Sequence, residues 1–157
     1  MRCEIRLIRP EMLARFGTPD YQSGMAAGID LLACLDGPLQ LYPQAPATLI
    51  PTGIAIHLAD PHTAAMIYPR SGLAHKRGLV LGNSVAVIDA DYQGEVMVSA
   101  WNRNPPWEAE PVTIHPGDRI AQMVFVPILR PEFAVVGAFS TDSARGIGGF
   151  GSTGVAA

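Results

Sequence analysis

Two carboxylates, an aromatic ring and a glycine turn end the stretch L-G-N-S-V-A-V-I-D-A-D-Y-Q-G-E-V, Leu81 to Val96. Its apolar run, Val85 to Ile88, has the character of a strand, so Asp89, Asp91 and Tyr92 fall where a strand would end. A strand end on a rigid scaffold is a place to hold reactive groups. Carboxylates this close to apolar surface must be solvated, paired or put to use. Taken alone, the stretch also reads as an acidic turn closing a hairpin.

Other segments have chemistry of their own. In Y-P-R-S-G-L-A-H-K-R-G, Tyr68 to Gly78, Pro69 disfavours helix just before it, Ser71 suits an N-cap and Gly78 a C′ position. The spacing predicts a helix of about one and a half turns. Lys76 and Arg77 would oppose its dipole, and the amides of Gly72 and Leu73 beside Arg70 would offer an anion site. An ordinary capped helix explains the same residues. Asp30 is the lone charge between Met25 and Leu35, and it needs an arginine, backbone amides or metal-bound water as partner. Gln122 poses the same question inside the apolar run 120–126, where a backbone partner is the commoner answer. The tail R-G-I-G-G-F-G-S-T-G is not a Walker loop, because no Lys precedes its Ser-Thr and no helix follows. Its composition is that of a flexible terminus. Even so, Arg145, the glycines and Phe150 would suit a nucleotide's charge, phosphates and base. His57, His62, His75 and His115 show no metal-ligand spacing.

The elements that must position these groups are short strands. Glycine (16) and proline (14) punctuate a 157-residue chain that is 48% hydrophobic and 16% charged. Apolar runs recur at Ile5–Ile8, Ala26–Leu35, Leu49–Leu58, Ala64–Tyr68, Leu79–Leu81, Val85–Ile88, Val96–Trp101, Ile120–Leu129 and Phe133–Val136. Turn residues separate them, which predicts an all-β sandwich or barrel in one domain. Ile120–Val126 is apolar on both faces, so a second subunit is expected to cover part of it. The last residues, 140–157, differ in kind and are expected to form a glycine-rich arm on a 1–139 sandwich. A net charge of −3 gives no basic footprint for nucleic acid. There is no membrane-length apolar run, and Cys3 and Cys34 form no disulfide framework, so a reduced, cytoplasmic setting is expected.

Together these segments resemble the homotrimeric deoxyuridine triphosphate nucleotidohydrolases (dUTPases). Five motifs stand in that family's order: A-G-I-D-L (27–31), P-R-S-G-L-A (69–74), V-I-D-A-D-Y-Q-G (87–94), P-G-D-R-I-A-Q (116–122) and R-G-I-G-G-F-G-S-T-G (145–154). One such pattern is weak; five in order are specific. Ile29 departs, standing where many members have an aromatic or Leu, and the Pro- and Trp-containing connection 103–111 has no assigned role.

The resemblance implies a jelly-roll β-sandwich trimer with exchanged C-terminal arms and sites shared between subunits. It implies hydrolysis of dUTP to dUMP and pyrophosphate with Mg²⁺, supplying dUMP for thymidylate synthesis and keeping uracil out of DNA. Asp89 would be the general base for the attacking water, and Tyr92 would lie against the deoxyribose and leave no space for a 2′-hydroxyl. Asn83 and the backbone of Val87, Ile88 and Asp89 would meet uracil, with Met97 close. Arg70, Ser71, Gly72 and Gln122 would bind phosphates. Arg145 would take the γ-phosphate, Phe150 would stack on the base, and Gly151, Ser152 and Thr153 would complete the arm's contacts. Asp30 would hold waters of the metal, a role that pairing with an arginine would displace. Asp91 is expected to close the turn. Two rivals are a dCTP deaminase, against which the V-I-D-A-D-Y segment and the full arm stand, and a non-catalytic nucleotide-sensing trimer.

Overall fold

The computed structural model describes residues 2–107 and 110–149. Among these described residues, ten strands and two short helices follow one another: β1 (Glu4–Leu7), α1 (Pro10–Phe16), β2 (Gly28–Leu32), β3 (Leu39–Leu41), β4 (Thr48–His57), β5 (Thr63–Pro69), α2 (Ser71–Arg77), β6 (Leu79–Leu81), β7 (Ala86–Ile88), β8 (Glu95–Asn102), β9 (Val112–Ile114) and β10 (Arg119–Pro127). Two four-stranded antiparallel sheets, ordered β1-β4-β8-β6 and β2-β10-β5-β7, form a jelly-roll sandwich with a β3-β9 pair at its side.

Alternation explains which residues meet between the sheets. In β8, Val96, Val98, Ala100 and Asn102 are buried while their neighbours are half-exposed. With Ile50 and Ile54 of the adjacent β4 they share one core with Leu31, Ile67 and Met123 of the other sheet, all essentially inaccessible. Each such aliphatic side chain contributes about 1.5–3 kcal/mol by leaving water. Two buried polar groups fasten β8 to its surroundings: Asn102 Nδ2 donates to the Leu41 carbonyl of β3 at 2.9 Å, and Thr52 Oγ1 of the adjacent β4 donates to the Val96 carbonyl at 2.6 Å. The register of β4 against β8 shifts between Pro51 and Ala55, where Gly53 takes φ +73° and its amide donates to Glu95 Oε1 at 2.9 Å. That bulge bends the longest strand over the core.

Pro10–Phe16 is a helix that the sequence reading did not include, started by proline in its first turn and stopped at Gly17. Other expectations are corrected. Phe133–Val136 joins no strand; its residues are exposed. Arg70, with extended dihedrals, is the N-cap of α2 and no side chain caps it, so Ser71 is the first helical residue instead of the cap. Gly78 does take the left-handed C-terminal position expected of it. The turn after Ile88 closes no simple hairpin: β7 pairs with β5, whereas β8 pairs with β4 and β6, so the chain switches sheets there. The 103–111 connection clamps α2, with Arg103 donating to the Ala74 carbonyl at 3.1 Å and Asn104 Nδ2 to that of Arg77 at 2.8 Å.

Candidate active site

The register of β10 brings the first, second and fourth motifs together. Gln122 lies opposite Asp30 of β2 on one side and Tyr68 of β5 on the other. Side chains of these three residues share the sheet's outer face, because the inner face takes Ala121 and Met123. Just beyond β5 the chain turns into α2, so Arg70, Ser71 and Gly72 stand at the rim of a cleft of about 430 Å³ that also contains Asp30 and Gln122.

Within this cleft the Asp30 carboxylate is nearly covered, at 12% exposure, and is flanked by two guanidiniums. Arg70 Nε lies 2.9 Å from Oδ1, and Arg119 Nη1 lies 3.5 Å from Oδ2. Arg70 also donates to the Arg119 carbonyl at 3.4 Å, and Gln122 Nε2 donates to the Pro69 carbonyl at 3.0 Å. Asp30 therefore has the arginine partner that the sequence left as one of three choices, and Gln122 has a backbone partner. Arg119 was not singled out in the sequence. Its signal was available in the fourth motif, three residues before Gln122 at the start of the strand that pairs with Asp30's.

Two positive groups against one negative leave an excess of positive charge, and the first amides of α2 point the same way. The cleft suits anions. It does not suit a bare cation: among the described residues no three Asp, Glu, His or Cys side chains converge, and both Asp30 oxygens face arginines. These residues fit a divalent metal that arrives on phosphate oxygens and keeps its waters.

The third motif lies elsewhere. Ile88 is opposite Ala65 and Val87 opposite Met66, so Asp89 emerges at the start of β5, whereas Arg70 follows its end. From the level of Ala64 to Arg70 is six residues, about 20 Å at ~3.3 Å per residue. Asp89 is exposed in a second cleft of about 540 Å³ with Thr63, Asp91 and Arg130. The Tyr92 amide donates to the Asp89 carbonyl at 3.1 Å, closing a tight turn, and the Ala59 amide holds the Ala90 carbonyl at 3.1 Å. Val87 is exposed, Ile88 packs on the core, and Met97 is half-exposed on β8. Asn83 lies exposed in the β6–β7 turn, its carbonyl accepting from the Val85 amide at 2.7 Å. Arg145 sits in the exposed terminal segment, its Nε donating to the Gly148 carbonyl at 2.7 Å. Phe150, Gly151, Ser152 and Thr153 lie outside the described residues.

A jelly-roll sandwich with a cleft suited to anions places the chain among β-sandwich proteins that can hold a phosphorylated ligand. The profile of the dUTPase family matches residues 14–154. A deoxyuridine 5'-triphosphate nucleotidohydrolase of Salmonella arizonae is 52% identical over 153 residues, covering 98% of this chain and 97% of the relative. The one from Salmonella typhi is 51% identical over the same shares of both chains. Among solved structures, a Staphylococcus bacteriophage 80alpha dUTPase with dUpNHpp superposes with a TM-score of 0.83 at 26% identity, covering 98% of this chain and 99% of that one. A phage dUTPase of S. aureus, described as revealing the coordination of a structural Mg(II) ion, shares the fold at TM-score 0.74 and 23% identity over 90% of this chain and all of that one. The chain belongs to the dUTPase family, enzymes of dUTP hydrolysis.

Proposed function

We propose that three copies of this chain pool their parts, the Asp89 turn of one facing the Arg70 cleft of the next, and that Asp89 is the general base for water attack on the α-phosphorus of dUTP. The observation that carries this reading is the split along β5, with Asp89 at one end and Arg70 at the other. A nucleophile must come within ~3–3.5 Å of the reacting atom while the phosphates are held, and ends about 20 Å apart do not serve one triphosphate easily. The outer face carrying Met66, Val87 and Val124 offers apolar surface for a neighbour. So does the terminal segment 128–149, with Phe133, Val135 and Phe139 uncovered, which supports an arm (140–157) exchanged between subunits of the 1–139 sandwich.

In the reaction, the water oxygen bonds to the α-phosphorus and its proton passes to an Asp89 carboxylate oxygen. The α–β anhydride bond breaks and its electrons leave with the bridging oxygen on pyrophosphate, giving dUMP. Arg70, the amides of Ser71 and Gly72, and Gln122 hold the departing phosphates, and Arg145 takes the terminal one. Such chemistry asks mainly for position and charge neutralisation. Mg²⁺ bound to the phosphates would add to that neutralisation, while Asp30, paired with Arg70 and Arg119, would orient those guanidiniums instead of holding the metal's waters. Tyr92 closes the space beside the sugar's C2′, while Asn83, the backbone of Val87–Asp89 and Met97 frame uracil. Phe150 and the residues 151–153 would cover the base and phosphates.

The test is pyrophosphate release from dUTP, dCTP, dTTP and UTP. Asp89→Asn is expected to slow dUTP turnover by roughly 10²–10⁴-fold, the usual worth of a placed base, with binding of a non-hydrolysable analogue kept. Turnover within a few-fold of the parent would remove Asp89 from this role. Ammonia release from dCTP in place of pyrophosphate from dUTP would favour the deaminase alternative.

A further inference from the structure

We propose that Gly94 is a specificity-determining position: its missing side chain makes the seat on which the Tyr92 ring lies. This rests on the reading that Tyr92 meets the deoxyribose.

The Tyr92 ring does not project freely from its turn. It folds back over the next residues, and its hydroxyl donates to the Glu95 carbonyl at 3.1 Å. A methyl group built on Gly94 would collide with the Tyr92 hydroxyl and would lie 2.6 Å from Cζ and 3.0 Å from Cε2. Real carbon contacts do not come that close, so any side chain at 94 must lift the ring. Gly94 has no positive φ, so space and not backbone strain is what requires glycine.

The seat is itself fixed. The Glu95 carboxylate holds the Gly53 amide in the β4 bulge, and the Thr52 hydroxyl holds the Val96 carbonyl beside it. Arg6 reaches the Gln93 carbonyl at 3.4 Å from the other side. Tyr92 therefore rests on backbone anchored to another strand, and being 43% exposed it keeps one face for a ligand. Asp89 is set by the Ile88–Ala65 pairing and by the backbone amide of Tyr92, neither of which involves the Tyr92 ring. Lifting the ring should therefore loosen sugar discrimination while leaving the attacking water largely in place.

The experiment compares kcat/KM for dUTP and UTP in Gly94→Ala, Tyr92→Ala, Tyr92→Phe and the Gly94→Ala/Tyr92→Ala double variant, with thermal midpoints recorded. Gly94→Ala is expected to lower the dUTP:UTP preference roughly tenfold, the scale of one lost shape contact, with kcat for dUTP changed far less. Tyr92→Phe, which keeps the ring and loses only its bond to Glu95, should lower the preference by a smaller factor. In the Tyr92→Ala background the Gly94 substitution should have no further effect on the preference. An unchanged preference in both Gly94→Ala and Tyr92→Phe, with Tyr92→Ala lowering it, overturns the inference and leaves the Tyr92 reading standing. The same loss from Gly94→Ala with or without the ring also overturns it, as general damage to the turn. A preference untouched by Tyr92→Ala would overturn the Tyr92 reading itself. If Gly94→Ala does not fold, Tyr92→Phe alone decides: an unchanged preference overturns the seat.

Discussion

Mixing two inactive variants should restore activity. Asp89→Asn removes the base at one end of β5, and Arg70→Ala removes the closer guanidinium at the other, leaving Asp30 with Arg119 at 3.5 Å. If one protomer supplied both groups, no mixture could contain an intact site. With the groups about 20 Å apart along β5, each site would instead take its turn from one chain and its cleft from another. After unfolding and refolding at equal ratio, half of the turns and half of the clefts are intact, so about a quarter of sites in a closed ring carry both. Pyrophosphate release by the mixture should therefore approach ~25% of wild type treated identically, against a background lower by the ~10²-fold or more expected for a lost base. A mixture no more active than its parents, with the refolded wild type recovering, would refute the shared-site reasoning.

Three further outcomes are open to measurement. Asn102→Ala would leave the Leu41 carbonyl and the Asn104 amide without their buried partner. At ~1–3 kcal/mol for each unsatisfied group and about 2–4 °C per kcal/mol in a chain of this size, calorimetry should find a midpoint lower by roughly 4–24 °C. The Asp60 carboxyl is held below its ordinary 3.8 by the His62 amide and the Thr63 hydroxyl. A depressed folded value means stability present above 3.8 and lost as pH falls through the folded value. The stability gap between wild type and Asp60→Ala should thus shrink in acid unfolding curves below that pH, and a constant gap would contradict it. Protease cleavage near residues 140–149 should slow when a non-hydrolysable dUTP analogue is added, as an arm closing over substrate requires.

Much of the architecture was legible because buried strands show as short apolar runs bounded by turn residues. The apolar runs at 49–58, 79–81 and 96–101 coincide with β4, β6 and β8 to within a residue or two. The helix Pro10–Phe16 was not legible, since only Leu13 of it is buried and one contact makes no period. The three-residue strands β3 and β9 were too short to show alternation. Phe133–Val136 has a strand's composition but no partner within the protomer, and composition does not say who supplies one. At the site, the sequence placed Asp30, Arg70 and Gln122 in separate motifs 40 or more residues apart. Only the β2-β10-β5 register brings them side by side. The sequence also let Ser71 stand as an N-cap, because serine is a favoured cap, whereas extended dihedrals, not residue type, make Arg70 the cap.

Asp30 gripping Arg70 and Arg119 has a bearing on how the empty enzyme waits. Long cationic side chains normally lose about 0.5–1.5 kcal/mol each in freedom when a ligand pins them. Here an internal carboxylate stands in for the ligand and has pinned both beforehand. If the cleft takes a triphosphate as proposed, that ligand would meet guanidiniums already aimed, and little of the ordering cost would fall on them.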